Sequence, residues 1–175
     1  MARGMTIAQT VPVRAYVGTM LDVMSRPGEF FRNAPEGTIV RPAAILAISA
    51  LIHTGACWAM YPAARLWTSA GILFINAAFT PLIAALIGYA VMRATLGEKT
   101  EFIRFFGIYA YASAAILLAA WMPYSFWITE PWRWWLIGTG LVRRCGLSRG
   151  AAAGIVFTTI VLLVLTFKLL MHLSA

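Results

Sequence analysis

A histidine and a cysteine one helical turn apart form the first pair of side chains in this sequence that could do chemistry. His53 and Cys57 lie four positions apart, so they share one face of a helix. Imidazole and thiolate are both zinc ligands, but a structural site takes four of them. The other histidine and cysteine, His172 and Cys145, lie far along the chain. We therefore expect His53 to be a polar packing residue, with no metal, haem or other cofactor bound.

A second candidate for a polar site lies where Thr80 precedes Pro81 in an apolar segment, with Asn76 one turn earlier. Proline removes a backbone donor and bends a helix, and a threonine hydroxyl commonly accompanies such a bend in a membrane. Together with His53, these residues are candidate polar groups inside the membrane. A hydrogen bond from Asn76 to a neighbouring helix is the alternative use.

Groups that carry out acid–base or nucleophilic catalysis are scarce. Beyond the N-terminal segment the carboxylates are Glu98, Glu101 and Glu130, and Glu130 is expected to pair with Arg133 three positions later. The sequence contains no arrangement of serine, histidine and acid that suggests a triad, and no glycine-rich phosphate loop. We predict that the protein is not an enzyme.

The elements that must position these residues are long apolar helices. The chain is 61% hydrophobic and 11% charged, and uncharged runs of 23, 27 and 25 residues precede Arg65, Arg93 and Glu130. About 20 apolar helical residues cross a membrane. A further apolar run begins at Gly150, and a run interrupted by charges precedes it. We predict an all-α integral membrane protein with a five-helix transmembrane bundle in residues 41–175, with spans at about 42–62, 69–92, 105–122, 126–142 and 150–173.

The first forty residues are predicted to form a cytoplasmic segment. Apolar residues from Val13 to Met24 recur at spacings of three and four, which indicates an amphipathic helix at about 13–25. Such a short helix lies in the membrane interface or against the bundle. Pro27 and Gly28 are expected to end this helix.

The stretch "RPGEFF", residues 26–31, follows the amphipathic helix and is predicted to form an elbow before the first span. In one interpretation, the two phenylalanines enter the acyl boundary while the carboxylate stays in water. In the other, the elbow docks a partner protein through Pro27, Glu29, Phe30 and Phe31.

The basic residues predict an orientation. With five spans, eleven of the fourteen basic residues lie on the N-terminal side, and basic loops are retained in the cytoplasm. We therefore expect a multi-pass protein of the inner, cytoplasmic membrane, with a cytoplasmic N-terminus and a periplasmic C-terminus. Tryptophans at 121–135 are expected to form a belt at the outer boundary. Nucleic-acid binding is not expected, because no basic soluble domain is present.

Small residues mark faces on which membrane helices pack closely. Gly146, Gly150 and Gly154 recur every four residues in the last apolar segment, and Gly138 lies in the fourth predicted span. We predict these glycines as helix-packing positions. Their spacing leaves open whether the faces meet within one chain or between chains.

Three segments in a fixed order resemble the Yip family of small membrane proteins. These are "RPGEFF", "FIRFFGIYAYASAAILLAAWMP" and "WRWWLIGTGLVRRCGLSRGAAAGIVF". The resemblance implies that Pro27–Phe31, Phe105–Ala115 and Gly138–Ala151 are the characteristic segments. It also implies five spans and no enzymatic activity. Eukaryotic members bind prenylated small GTPases and assemble with relatives, whereas this chain is more similar to the bacterial branch.

Our leading functional hypothesis is a non-catalytic inner-membrane interaction or accessory protein. It would organise a membrane complex or act in envelope and lipid homeostasis. Its partners would be the lipid bilayer and either other membrane proteins or further copies of itself. One rival is a small transporter or channel using His53, Asn76 and Thr80. Another is an accessory subunit of a respiratory or photosynthetic complex.

Overall fold

A computed structural model describes residues 12–35, 37–61, 67–97 and 100–173. In these ranges the chain forms seven α-helices and no strand. The helices are α1 (Val13–Ser25), α2 (Pro27–Asn33), α3 (Val40–Met60), α4 (Trp67–Leu96), α5 (Phe102–Leu117), α6 (Phe126–Cys145) and α7 (Arg149–Leu173).

Three of the described helices are long and apolar enough to cross a membrane: α3, α4 and the Arg149–Leu169 part of α7. The protein is therefore an all-helical, multi-pass membrane protein. Helix α5 is apolar but shorter, at 16 residues, and α6 carries a charged pair within its length. The count of five spans stays a prediction.

Helix α5 lies at the centre of the bundle. Every residue from Phe105 to Ile116 is buried, because α5 packs against α1, α3, α4 and α6. Its first half is aromatic, with Phe105 and Tyr109 stacked at a centroid distance of 5.2 Å. Its second half is rich in alanine and lets neighbouring backbones approach closely. The core of the protein is thus built around its shortest apolar helix.

Helix α5 ends earlier than the span predicted at 105–122. Residues 118–125, which include Pro123, form turns and a bend. The Trp121 indole donates a hydrogen bond to the Leu118 carbonyl at 2.8 Å. The Tyr61 hydroxyl donates to the Trp121 carbonyl at 3.1 Å. The second bond attaches the end of α3 to the connection between α5 and α6.

The two ends of the bundle differ in composition. At one end, which we call the aromatic end, Trp58 of α3 lies 6.5 Å from Trp67 of α4 between ring centroids. Arginines mark the opposite ends of the helices, which we call the basic end. There, Arg144 donates a hydrogen bond to the Pro35 carbonyl just after α2, at 2.8 Å. Arginines of the basic end are Arg41, Arg93, Arg104, Arg143, Arg144 and Arg149.

Candidate partner-docking site

The apolar stripe of helix α1 is wide, and one side of it is buried while the other side is exposed. Tyr16, Met20 and Val23 are buried against the bundle, where α1 contacts α5. A second row of apolar side chains is exposed. One of them, Leu21, has 61% of its surface exposed. The exposed row, which we call the α1 ridge, consists of Val13, Val17, Leu21 and Met24.

A buried hydrogen bond fixes α1 on the bundle. The Tyr16 hydroxyl and the Ser49 hydroxyl of α3 are 2.7 Å apart, and both residues are buried. A polar pair away from water needs its partner, because an unpaired buried hydroxyl costs about 1–3 kcal/mol. This bond therefore sets the rotation of α1 and leaves the α1 ridge facing outward.

The break after α1 lies at Arg26, whose backbone dihedrals are φ −136° and ψ 55°. Pro27 then occupies the first turn of a new helix, α2. Proline suits that position because its missing N–H would have no helical partner there. The predicted elbow is thus a helix–helix corner, and "PGEFF" is helical.

The phenylalanines of α2 point into the protein and not into lipid. Phe31 is fully buried. Phe30 contacts Phe31 edge to face at a centroid distance of 5.4 Å and Tyr111 of α5 at 5.0 Å. Pro27 is also buried, whereas Glu29 is exposed. Of the four predicted docking residues, Glu29 is the one with an exposed side chain, and Phe30 is partly exposed.

A cleft of about 390 Å³ lies between α1, α2 and the start of α3. Its charged groups are two carboxylates and two guanidiniums. Arg26 and Glu29 approach to 3.9 Å, but their side chains are 75% and 70% exposed, and such surface pairs contribute little to stability. These charges therefore remain available to a partner. The lining residues are Thr19, Asp22, Arg26, Glu29, Phe30, Asn33, Ala34, Pro35 and Arg41.

The predicted polar residues of the apolar helices bond locally, and Asn76 is exposed on the surface of α4. Thr80 donates a hydrogen bond to Asn76 of the same helix at 2.8 Å, where an interhelical bond was the alternative expected. His53 Nε2 lies 3.7 Å from Cys57 Sγ. The two side chains therefore share one helix face, as their spacing predicts. Neither pair lines the cleft between α1, α2 and α3. Among the described residues, no three His, Cys, Asp or Glu side chains form a group that could hold a metal.

The four predicted packing glycines make no close contact between helices. Gly146 lies before α7 and caps α6 in the left-handed conformation, with φ 70°, so it shares no helical face with Gly150 and Gly154. In the described part of the chain, a Cβ built on any of these three or on Gly138 would meet no atom within 4 Å. The structure therefore shows no close helix packing at these four glycines within one chain.

Two other glycines make the close approaches. At Gly140 of α6, a Cβ would overlap the Ile108 side chain of α5. At Gly88 of α4, a Cβ would overlap the Tyr109 hydroxyl and lie 3.0 Å from the Thr159 hydroxyl of α7. Neither glycine is among the helix-packing positions predicted from the sequence.

A sequence model of the Yip1 domain matches residues 21–170 of the chain, which is nearly its whole length. The chain belongs to the Yip1 family. Our searches found no matching curated protein and no matching solved structure. The match to the Yip1 domain confirms the resemblance to this family that the sequence suggested.

The three segments that resemble the Yip1 family meet in the structure. Phe30 of the first contacts Tyr111 of the second, and Ile108 of the second faces Gly140 of the third. Helix α2 also packs directly on α6. In this Yip1 protein, the motifs thus form one continuous packing unit of α2, α5 and α6.

A charged pair lies in the first half of α6. Glu130 and Arg133 approach to 2.6 Å, which confirms the predicted pair, and the side chains are only 25% and 19% exposed. The Arg133 guanidinium also lies over the Trp134 ring, 4.9 Å from its centroid. The charge of Arg133 is thus balanced within the helix of this Yip1 protein.

Proposed function

We propose that this Yip1-family protein is a non-catalytic interaction protein that docks an amphipathic segment of another membrane protein at its basic end. The observations that carry the proposal are the exposed α1 ridge and, on a different face of α1, a cleft containing both signs of charge. An amphipathic helix binds by laying an apolar face on an apolar surface. Charged residues of the same partner would meet Asp22, Glu29 and Arg41 in the cleft, on the face of α1 away from the ridge.

The burial of neighbouring residues supports this surface over the rest of the N-terminal segment. Phe31 and Pro27 are committed to the fold, so they would hold α2 in place and not contact a partner. Glu29 and Phe30 remain as docking residues, joined by Asp22 and Leu21 of α1. Charges at such a rim contribute specificity and association rate more than affinity.

Site-specific photocrosslinking in native membranes tests this proposal. A photoreactive side chain at Leu21 or Glu29 is expected to give one discrete protein adduct. The matched control is Tyr124 at the aromatic end, which is 89% exposed and is expected not to give that adduct. Charge reversal with Asp22→Lys is expected to reduce the Glu29 adduct, because the partner would then meet a repulsive group.

Two results would contradict the docking proposal. One is a chain that runs as a lone monomer after extraction and gives no protein adduct from Leu21 or Glu29. The other is the same adduct pattern from Tyr124, because that result would indicate random encounters in the membrane.

We further propose an inner-membrane location with the basic end in the cytoplasm, which the positive-inside rule supports. Self-association through Gly150 and Gly154 is a second route to assembly, supported by the space beside both glycines. Replacing both with leucine should reduce dimers if these glycines form the contact. Unchanged dimers would exclude the glycine contact without affecting the docking proposal.

A further inference from the structure

A long apolar groove runs along the surface between α6 and α7. One wall is α6 from Trp134 to Arg143, and the other is α7 from Arg149 to Ile160. The groove has a volume of about 860 Å³, within the range of roughly 300–1,000 Å³ found for small-molecule sites. Pro27 and Gly28 of α2 border its basic end. This groove is separate from the docking cleft, which lies between α1, α2 and α3.

The length of the groove matches one leaflet of a bilayer. Ile160 lies three helical turns, about 16 Å, from Arg149 along α7. Half of a hydrocarbon core of about 30 Å is about 15 Å. An acyl chain that begins at the level of Arg149 would therefore reach the far end of the groove near the bilayer midplane.

The two charged residues that line the groove are both arginines, and both lie at its basic end. Arg143 and Arg149 are exposed, and neither forms an ion pair with another described residue. No described residue that lines the groove carries a carboxylate. The remaining lining is predominantly apolar, with Val156 and Phe157 on the α7 wall. A ligand with an anionic head and an apolar tail matches this distribution.

We propose that the groove between α6 and α7 binds one phospholipid with an anionic headgroup from the leaflet at the basic end. Arg143 and Arg149 contact the headgroup phosphate, since guanidinium groups bind phosphate oxygens in a forked geometry. One acyl chain lies between the two helices as far as Ile160. Basic pockets between membrane helices bind anionic headgroups in this way.

Native mass spectrometry of the full chain in detergent tests the lipid site, with dioleoyl phosphatidylglycerol and dioleoyl phosphatidylcholine as probes. The chain is expected to retain phosphatidylglycerol in preference to phosphatidylcholine. The double variant Arg143→Gln/Arg149→Gln is expected to weaken phosphatidylglycerol binding by about thirtyfold, because each basic residue contributes to the attraction. Phosphatidylcholine binding should change little.

The control variant Arg14→Gln/Arg32→Gln removes the same charge from exposed positions outside the groove. It should keep the preference. Ala153→Trp fills the groove without changing charge and should weaken both lipids alike. Elution volume in size-exclusion chromatography checks that each variant is folded.

Three outcomes would overturn the lipid site. The first is equal retention of the two lipids by the unaltered chain. The second is an equal loss in the Arg14→Gln/Arg32→Gln control, which would indicate general attraction to a basic protein. The third comes from a photoreactive side chain at position 153 in membranes. A dimer instead of a lipid adduct there would mean that a second copy fills the groove.

Discussion

Replacing Gly140 with alanine tests whether the α5–α6 contact is as close as the structure shows. A Cβ at this position would overlap the Ile108 Cγ2 methyl and would lie 3.2 Å from Cγ1 and 3.3 Å from Cβ. Ile108 is fully buried, so it has little room to move without shifting α5. Overpacking of this kind costs about 1–3 kcal/mol.

Gly138→Ala is the matched control, because Gly138 lies on the same helix and a Cβ there meets no atom within 4 Å in the described chain. Both substitutions gain about 1 kcal/mol from the better helix propensity of alanine. That gain cancels when the two variants are compared. We therefore expect Gly140→Ala to be less stable than Gly138→Ala by about 1–3 kcal/mol.

The assay is the free energy of unfolding, measured by circular dichroism during titration with sodium dodecyl sulfate in mixed micelles. Adding Ile108→Ala removes both γ carbons that a Cβ at position 140 would meet. The two substitutions should then couple by more than the ~0.5 kcal/mol scatter of independent sites. Equal stability of the two glycine variants, or an additive cycle, would refute the packing described for α5 and α6.

Three further results are expected. Tyr16→Phe should lower the free energy of unfolding by about 1–3 kcal/mol, because it leaves the buried Ser49 hydroxyl without its partner; Ser49→Ala added to it should recover part of the loss. Gly88→Ala should destabilise the protein by about 1–3 kcal/mol in the same unfolding assay. Tyr109→Phe should relieve that loss by removing the overlapping hydroxyl, and no relief would contradict the contact. A reporter fused after Ala175 should be active in the periplasm, and cytoplasmic activity would contradict the proposed orientation.

The sequence predicted where the helices lie better than it predicted which helices pack against each other. Uncharged runs located the long helices because a membrane helix must carry apolar residues over its full length. Spacing also predicted the pair of Glu130 and Arg133, since residues three apart are neighbours on a helix. The same uniformity hid the central position of α5. A segment that is apolar all round carries no pattern to distinguish lipid-facing residues from protein-facing ones.

The candidate site was only partly predictable for a related reason. A glycine repeat marks where a backbone could approach, but it does not show which side chain stands opposite. Gly138 and Gly140 are two positions apart, and only the second faces Ile108. Likewise, "RPGEFF" predicted a break, but not that Pro27 would begin a helix or that Phe31 would be buried.

The enclosure of α5 constrains the order in which the protein can be assembled during synthesis. Helices α1, α3 and α4, which cover part of α5, are made before it, whereas α6 is made after it. Until α6 emerges from the ribosome, the side of α5 that carries Ile108 lacks the neighbour that it has in the fold. That side must meanwhile rest against lipid or the insertion machinery. Helix α6 then covers α5, and α7 completes the bundle against α4 and α6.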